Sequence, residues 1–213
     1  MLSLKQFTFN DFAENTYVLF DETKEAVIID PGCYYKNEVE ELLSFIKQKE
    51  LNPVKILNTH CHIDHVLGND YLLNRFNLSL YLHKDEIFTY NDTKRWTTMF
   101  NMPPLQVPEN LIFIDESSVI SFGNQQLTCL LAPGHSIASL TFYCKEANIA
   151  IVGDAIMQNS IGRTDLPGGN LTTLLQSIRT KIFTLPDETM LFSGHGPKTT
   201  VKMEKENNPY LKN

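Results

Sequence analysis

Paired cysteines, long apolar runs and targeting signals are scarce in this sequence of 213 residues. Its four cysteines show no Cys-x-x-Cys spacing, and most of them lie in apolar or strand-like contexts, which favours reduced core thiols over disulfides. Residues 1–7 have no cleavage signature, and no stretch approaches the length of a membrane span. We therefore expect a cytoplasmic protein with no membrane partner.

Positive charge is also in short supply, because 18 Lys and Arg residues face 25 Asp and Glu residues, for a formal net charge of −7. Phosphate contacts need Lys and Arg, so this balance argues against a nucleic-acid partner. Hydrophobic residues make up 42% and charged residues 20%, which is ordinary for a globular fold. The length is within reach of one large core, and we predict a single domain over residues 1–213.

Candidate metal ligands are concentrated in residues 59–65, which read Thr-His-Cys-His-Ile-Asp-His. The preceding apolar residues, 53–58, predict a buried strand, and a helical pattern follows from Tyr71. A loop between the two can point its side chains at one small volume, whereas a regular strand or helix would spread them apart. Imidazole and carboxylate are the ligands that borderline divalent metals prefer. The four candidate ligands in this segment are His60, His62, Asp64 and His65.

The same pattern, an apolar strand that ends in a turn and a candidate ligand, occurs three more times. His135 follows the strand predicted over 127–131, and Asp154 and His195 follow two later strand ends. Five histidines and two carboxylates are more than one ion can use. Two ions about 3.5–4 Å apart, sharing a carboxylate and a hydroxide, would use all seven. We therefore predict a binuclear metal centre.

Hydrophobic periodicity predicts two similar halves, each with several strands and with helices outside, which fits an α/β fold of two sheets packed face to face. The predicted helices cover 38–49, 85–100, 170–183 and 198–207. The predicted strands cover 4–9, 16–20, 26–30, 54–58, 79–82, 111–114, 119–122, 125–131, 139–144, 149–152 and 189–192.

These motifs resemble those of the metallo-β-lactamase superfamily, and within it the short, single-domain glyoxalase II-like (hydroxyacylglutathione hydrolase-like) hydrolases. The matching segments are Thr-His-x-His-x-Asp-His at 59–65, Pro-Gly-His at 133–135, Gly-Asp at 153–154, Gly-His-Gly at 194–196, and further residues at 14–17, 29–32, 161–169 and 206–211. The resemblance covers nearly the whole chain. It implies a four-layer αββα metallo-β-lactamase-like sandwich.

The resemblance also implies how the ligands are shared. His60, His62 and His135 would hold the first metal, the second would lie on Asp64, His65 and His195, and Asp154 would bridge. With no thiolate in the set, zinc is favoured, while iron and manganese stay open. Two cations would turn a shared water into a hydroxide nucleophile near neutral pH, with Asp64 and Asp154 as the catalytic carboxylates.

A small-molecule thioester, S-lactoylglutathione or a similar compound, is the expected substrate. A thiol has a pKa of about 8.5 and can leave as a thiolate without a protein acid, whereas an amine needs a proton. The chain ends at Asn213, without the C-terminal helical region that grips glutathione in glyoxalase II enzymes, so we expect weak glutathione recognition.

Two other functions stay open at this point. Persulfide dioxygenases share the 59–65 run and the Gly-Arg-Thr-Asp loop, and hold one non-haem iron on residues that correspond to His60, His135 and Asp154. They usually continue with Phe-Gln, whereas this chain has Leu166-Pro167, which favours the hydrolase. A non-catalytic, metal-stabilised module is disfavoured, because structural zinc sites are closed and rarely bimetallic.

Several polar residues outside the ligand set have more than one interpretation. Arg163 and Asp165, in the loop 162–169, either form an internal ion pair that shapes the loop or serve the site, as a rim that contacts the substrate or as a brace behind the metal ligands. His83 is interpreted as a structural residue near the site. Asn15 and Tyr17 are interpreted as turn and packing residues.

Overall fold

The computed structural model of the protein describes residues 1–212. Its strands are β1 (Ser3–Phe9), β2 (Glu14–Phe20), β3 (Glu25–Ile29), β4 (Asn52–Leu57), β5 (Leu80–Leu82), β6 (Leu111–Phe113), β7 (Val119–Phe122), β8 (Gln125–Leu131), β9 (Leu140–Cys144), β10 (Ile149–Gly153), β11 (Ile156–Met157), β12 (Ser160–Ile161), β13 (Met190–Ser193) and β14 (Thr199–Thr200). Its α-helices are α1 (Lys36–Gln48), α2 (Ile63–Val66), α3 (Asn69–Phe76), α4 (Ile87–Met99), α5 (Leu171–Thr180) and α6 (Val201–Asn207). Short 3₁₀ helices cover Lys84–Glu86 and Ile182–Thr184.

The longer strands form two mixed sheets. The first has the order β1-β2-β3-β4-β5-β6, antiparallel from β1 to β3 and parallel from β3 to β6. The second has the order β14-β13-β10-β9-β8-β7, in which β10 and β13 pair in parallel and the other neighbours are antiparallel. β11 and β12 form a separate hairpin.

Strand alternation divides the apolar side chains between three cores. Along β3, Val27 and Ile29 enter the core between the two sheets, whereas Ile28 packs outward with helix residues such as Leu42 of α1. Helix α1 presents this apolar side chain to the sheet because its hydrophobic residues recur at helical spacing.

The second sheet repeats this arrangement. Ile151 of β10 faces the core between the sheets, and Val152 packs outward with Leu174 and Ile178 of α5. The layers therefore run helix, sheet, sheet, helix, which confirms the predicted α/β sandwich. Within residues 1–212, no helix is long and apolar enough to cross a membrane.

The structure corrects several predicted element boundaries. Residues 63–66, predicted as loop, form the one-turn helix α2, so Asp64 and His65 lie on helical backbone. The helix predicted over 170–183 ends at Thr180, and a 3₁₀ turn follows. The helix predicted from residue 198 begins at Val201, because Thr199 and Thr200 pair with β13 and the Thr200 hydroxyl caps the helix by accepting from Met203 N–H.

Candidate metal centre

Strand ends from both sheets meet at one edge of the sandwich. β8 and β10 are both antiparallel to β9, and β13 is parallel to β10, so these three strands end on the same side of the second sheet. His135, Asp154 and His195 follow those ends. The segment after β4, together with α2, brings the other four predicted ligands to the same place, so all seven lie together.

Three histidines form one group that could hold a metal ion. His60, His62 and His135 each offer a ring nitrogen, and these atoms lie within 4.8 Å of one another. His62 Nδ1 is 2.8 Å from His135 Nε2, which is 3.2 Å from His60 Nε2. Each pair of rings is nearly perpendicular, so the three imidazoles approach from different directions.

A second group consists of Asp64, His65 and His195, whose ligand atoms also lie within 4.8 Å of one another. Asp64 Oδ2 is 3.1 Å from His195 Nε2 and 3.6 Å from His65 Nε2. The two groups are adjacent, because the ring centroids of His60 and His65 are 4.1 Å apart. The arrangement therefore offers two neighbouring places for cations.

The Asp154 carboxylate lies between the two groups. Its Oδ2 is 3.4 Å from His135 Nε2 of the first group and 3.5 Å from His195 Nε2 of the second. Its Oδ1 is 3.6 Å from His65 Nε2. This is the position from which one carboxylate could contact two cations.

Hydrogen bonds on the outer side of the rings settle which nitrogen faces the centre. His135 Nδ1 lies 2.8 Å from the carbonyl oxygen of Arg163, which can only accept, so this nitrogen carries the proton. The Thr59 hydroxyl donates to Asp30 and therefore accepts from His60 Nδ1, 3.0 Å away. The Nε2 atoms of His60 and His135 are therefore unprotonated, and their lone pairs face each other.

The second group is oriented in the same way. His195 Nδ1 lies 3.1 Å from the carbonyl oxygen of Phe12, and His65 Nδ1 lies 3.2 Å from Asp30 Oδ2. Both Nε2 atoms then point at the carboxylates of the centre. A protonated outer nitrogen on an acceptor, with the other nitrogen free, is the usual arrangement of a metal-binding histidine.

Burial lowers the pKa of the first-group histidines, to about 3 for His62, about 4 for His135 and well below the ordinary value for His60. These imidazoles are neutral at pH 7 and can act as ligands. Burial acts in the same direction on His65, but the carboxylates of Asp64 and Asp154 hold its pKa well above the ordinary value. The second group therefore attracts positive charge, and a metal ion would compete there with a proton.

Two buried polar atoms at the centre lack a hydrogen-bond partner within residues 1–212. They are His65 Nε2 and Asp154 Oδ1, which face each other at 3.6 Å. Unpaired buried polar atoms are costly, and a cation between them would satisfy both. The first-group imidazoles are neutral and their lone pairs converge, and a cation would satisfy His65 Nε2 and Asp154 Oδ1. The residues present therefore fit a divalent metal centre.

Glu86 holds together the segments that carry the candidate ligands. No motif in the sequence indicates this role. Its buried carboxylate accepts from Cys61 N–H at 2.9 Å, from the Ser136 hydroxyl at 2.6 Å and from Ala138 N–H at 2.8 Å. Burial raises the pKa of Glu86, and these three donors lower it again in part. One side chain thereby ties the segment around His60 and His62 to the turn that carries His135.

Two further buried carboxylates were not predicted as part of the site. Asp30, at a φ of 50° after β3, accepts from Thr59 N–H at 2.7 Å and is the partner of His65. Glu14 accepts from the Thr16 hydroxyl at 2.9 Å and places Oε1 3.8 Å from His65 Nδ1. Burial raises the pKa of Glu14 well above its ordinary value.

Residues with open interpretations also have defined contacts. Asn15 is not a turn residue: it lies in β2, and its amide donates to the carbonyl oxygens of Ser193 and Gly196 around His195. The Tyr17 hydroxyl donates to the same Ser193 oxygen at 2.6 Å. His83 accepts from Asp85 N–H at the start of a 3₁₀ helix, a local structural contact.

The centre opens into a cavity of about 410 Å³. Arg163 lines this cavity and forms a bidentate ion pair with Asp165, with both nitrogen–oxygen distances at 2.8 Å. The expected pair is therefore present, but it is not internal, because the two side chains are 62% and 67% exposed. The backbone oxygen of Arg163, rather than its side chain, supports the centre through His135.

Comparison with known proteins gives consistent results. A family model described as the metallo-beta-lactamase superfamily matches residues 10–195. A protein of Bacillus subtilis, named a probable metallo-hydrolase, is 37% identical over 198 residues, covering 92% of both chains. The hydroxyacylglutathione hydrolase GloC of Haemophilus influenzae is 33% identical over 203 residues, covering 94% of this chain and 93% of its own.

Solved structures with a similar fold point the same way. BLEG-1, described as a B3 metallo-beta-lactamase, superposes with a TM-score of 0.86 at 34% identity, covering 99% of this chain and 100% of its own. TTHA1623, in a di-iron-bound form, also gives a TM-score of 0.86, at 31% identity, covering 97% of this chain and 100% of its own. These similarities cover essentially the whole described chain.

Proposed function

This chain belongs to the metallo-beta-lactamase superfamily, and on that premise we propose that it is a binuclear metal-dependent hydrolase of small thioesters. The observation that carries the proposal is the placement of six candidate ligands in two adjacent groups, with the seventh, Asp154, between them. Residues from both sheets form these groups, which supports one domain over residues 1–213. We propose zinc as the metal, and the di-iron form of TTHA1623 keeps iron as the alternative.

The proposed ligand roles follow from the contacts. His60, His62 and His135 would hold the first cation, Asp64, His65 and His195 would hold the second, and Asp154, which lies between the groups, would serve both. Divalent cations held there would supply a hydroxide at neutral pH and polarise the scissile carbonyl. The protein's own contribution is orientation: Nδ1 of four histidines donates to a fixed oxygen and so aims Nε2 at the centre.

The cavity lining supports a thioester over an amide. Among its described residues, Arg163 is the one ionisable side chain outside the candidate ligand set, and a guanidinium is too weak an acid to protonate a leaving amine. In thioester hydrolysis, water adds to the carbonyl carbon, the carbon–sulfur bond breaks and the products are a carboxylate, a thiol and a proton. The thiolate can leave unassisted, because its conjugate acid has a pKa of about 8.5. The GloC similarity supports an acylated thiol as the substrate.

We expect the zinc-loaded protein to release free thiol from S-lactoylglutathione, with a high KM because Arg163 is already paired with Asp165. Thiol release is followed with a chromogenic thiol reagent, and the Asp154→Asn variant serves as the inactive control. Oxygen uptake with glutathione persulfide is measured in parallel. Oxygen uptake without thioester cleavage would contradict the hydrolase proposal.

One observation favours a persulfide dioxygenase as the second candidate. His135 Nε2 lies 3.2 Å from His60 Nε2 and 3.4 Å from Asp154 Oδ2. Two histidines and one carboxylate are the facial ligands of non-haem iron oxygenases. That function would leave His62, Asp64, His65 and His195 without a cation. We therefore rank it below the hydrolase, which uses all seven residues.

Metal content separates the two candidates directly. We expect close to two divalent ions per chain, mainly zinc, because each of the two groups of candidate ligands can hold one ion. Elemental analysis is made on untagged protein after dialysis, with His62→Ala as the matched variant expected to lose part of the metal. One iron per chain with no zinc would favour the oxygenase instead.

A further inference from the structure

One side of the cavity is an aromatic wall made by Phe12, Trp96 and Phe100. Phe12 lies in the turn between β1 and β2, Trp96 on α4, and Phe100 directly after that helix. The rings of Phe12 and Phe100 meet edge to face with centroids 5.4 Å apart, and those of Trp96 and Phe100 stack at 6.0 Å. Two separate elements thus supply one continuous apolar surface beside the candidate metal ligands.

Three further residues of the cavity lining are also apolar. These residues are Met157, Ile161 and Leu166, and they come from the β11–β12 hairpin and the loop that follows. A cavity of about 410 Å³ lies within the range of small-molecule sites and can enclose a ring or a short chain. The space next to the centre is therefore suited to burying an apolar group.

Outside the candidate ligand set, the described lining offers one side-chain cation, and it is already paired. The cation that lines the cavity is Arg163, and both oxygens of Asp165 are bonded to its guanidinium. This pairing uses Nε and one terminal nitrogen, so that face of the guanidinium is taken and cannot bind a substrate carboxylate in the same bidentate way. Apart from the proposed metal positions, a peptide thiol with free carboxylates, such as glutathione, finds no unpaired side-chain cation in the described lining.

We propose that this cavity selects thioesters with an apolar substituent, aryl or medium-chain alkyl, next to the scissile bond. The proposal rests on the thioester function and names its substrate class, with the aromatic wall as the element that determines specificity. Each methylene that enters the cavity should raise kcat/KM by roughly fourfold until the cavity is full. The apolar substituent can belong to the acyl part or to the thiol part of the substrate. Two separate substrate series distinguish these two positions.

The kinetic test uses zinc-loaded protein and two substrate series. The first varies the acyl group from acetyl to hexanoyl and benzoyl on one small thiol, and the second varies the thiol on one acetyl group. We expect kcat/KM to rise with size in one series and to exceed that for S-lactoylglutathione. Phe100→Ala should lower kcat/KM for the best substrate by roughly tenfold. The same variant should keep kcat/KM for the acetyl thioester of the smallest thiol within about twofold of the wild-type value. Phe88→Ala is the matched control, since Phe88 is an exposed aromatic on α4, the helix that precedes Phe100, and lies outside the cavity lining.

A binding measurement separates this proposal from the hydrolase function. Trp96 is the one tryptophan of the chain, so its fluorescence reports directly on the wall. We expect hexanoate to change this fluorescence at concentrations roughly tenfold lower than acetate, and Phe100→Ala to remove the difference while Phe88→Ala keeps it. If no thioester is cleaved but hexanoate still binds preferentially, the hydrolase function fails and the apolar site stands. If thioesters are cleaved at rates independent of substituent size, or hexanoate and acetate bind alike, the apolar site is overturned.

Discussion

Replacing Asp154 with alanine is expected to lower kcat by at least about a hundredfold at saturating zinc, because misplacing reacting groups by about 1 Å costs that much. Asp154 is within 3.6 Å of ring nitrogens from both histidine groups, so its loss should free both cations to move. Asp64 faces His65 and His195 of one group. Asp64→Ala should therefore remove the second cation, retain the first and lose less activity.

The comparison is made by measuring kcat together with zinc content for both variants. Asp187→Ala is a suitable control, because Asp187 is an exposed carboxylate paired with Lys205 at 2.7 Å. It should match the wild type in both measurements. If Asp154→Ala retained both metals and most activity while Asp64→Ala were inactive, the bridging role would belong to Asp64.

Replacing Gly194 with alanine should have a comparably large effect on activity with little effect on folding. A Cβ there would overlap Asp154 Oδ1 and stand 2.6 Å from His65 Cε1. The backbone cannot move aside easily, since Gly194 N–H donates to the Gly153 carbonyl at 2.8 Å and its own carbonyl accepts from Asn15 N–H at 2.7 Å. The side chains of two candidate ligands must shift instead, and we expect kcat to fall by about a hundredfold.

Gly196→Ala provides the matched control in the same turn. Gly196 has a φ of 73°, and a Cβ there would meet no atom of the described chain within 4 Å. The alanine should cost roughly 1–2 kcal/mol of unfolding free energy, from the left-handed backbone alone, and leave zinc content and kcat within a few-fold. Equal loss of activity in both variants would mean that turn strain, rather than contact with Asp154 and His65, controls the site.

The grouping of the ligands could be predicted because each motif is local. Residues 59–65 contain four candidate ligands in one segment, and Pro-Gly-His, Gly-Asp and Gly-His-Gly each follow an apolar strand. Strand ends in a packed sandwich converge at an edge, so identifying the strands was nearly enough to bring the ligands together. Single helical turns such as α2 were missed because four residues show no periodicity.

The layer of residues around the ligands could not be predicted in this way. Glu86 lies 25 residues from Cys61 and 50 from Ser136, and its role exists only once those segments meet. Asp30 and Glu14 lie in segments noted for their resemblance, but their contacts with His65 depend on how β2, β3 and α2 pack. The aromatic wall is equally non-local, since Phe12 and Phe100 belong to different elements.

The three hydrogen bonds of Glu86 require no cation, and this bears on how the protein matures. They join the segments that carry His60, His62 and His135 as soon as the chain folds. Zinc fingers, by contrast, remain unfolded until metal arrives, because nothing else orders their ligands. Here the Glu86 hydrogen bonds order part of the candidate ligand set without a cation, so we expect metal uptake to be a separate event after folding. The fraction of active molecules in a cell would then follow the free metal supply rather than the rate of synthesis.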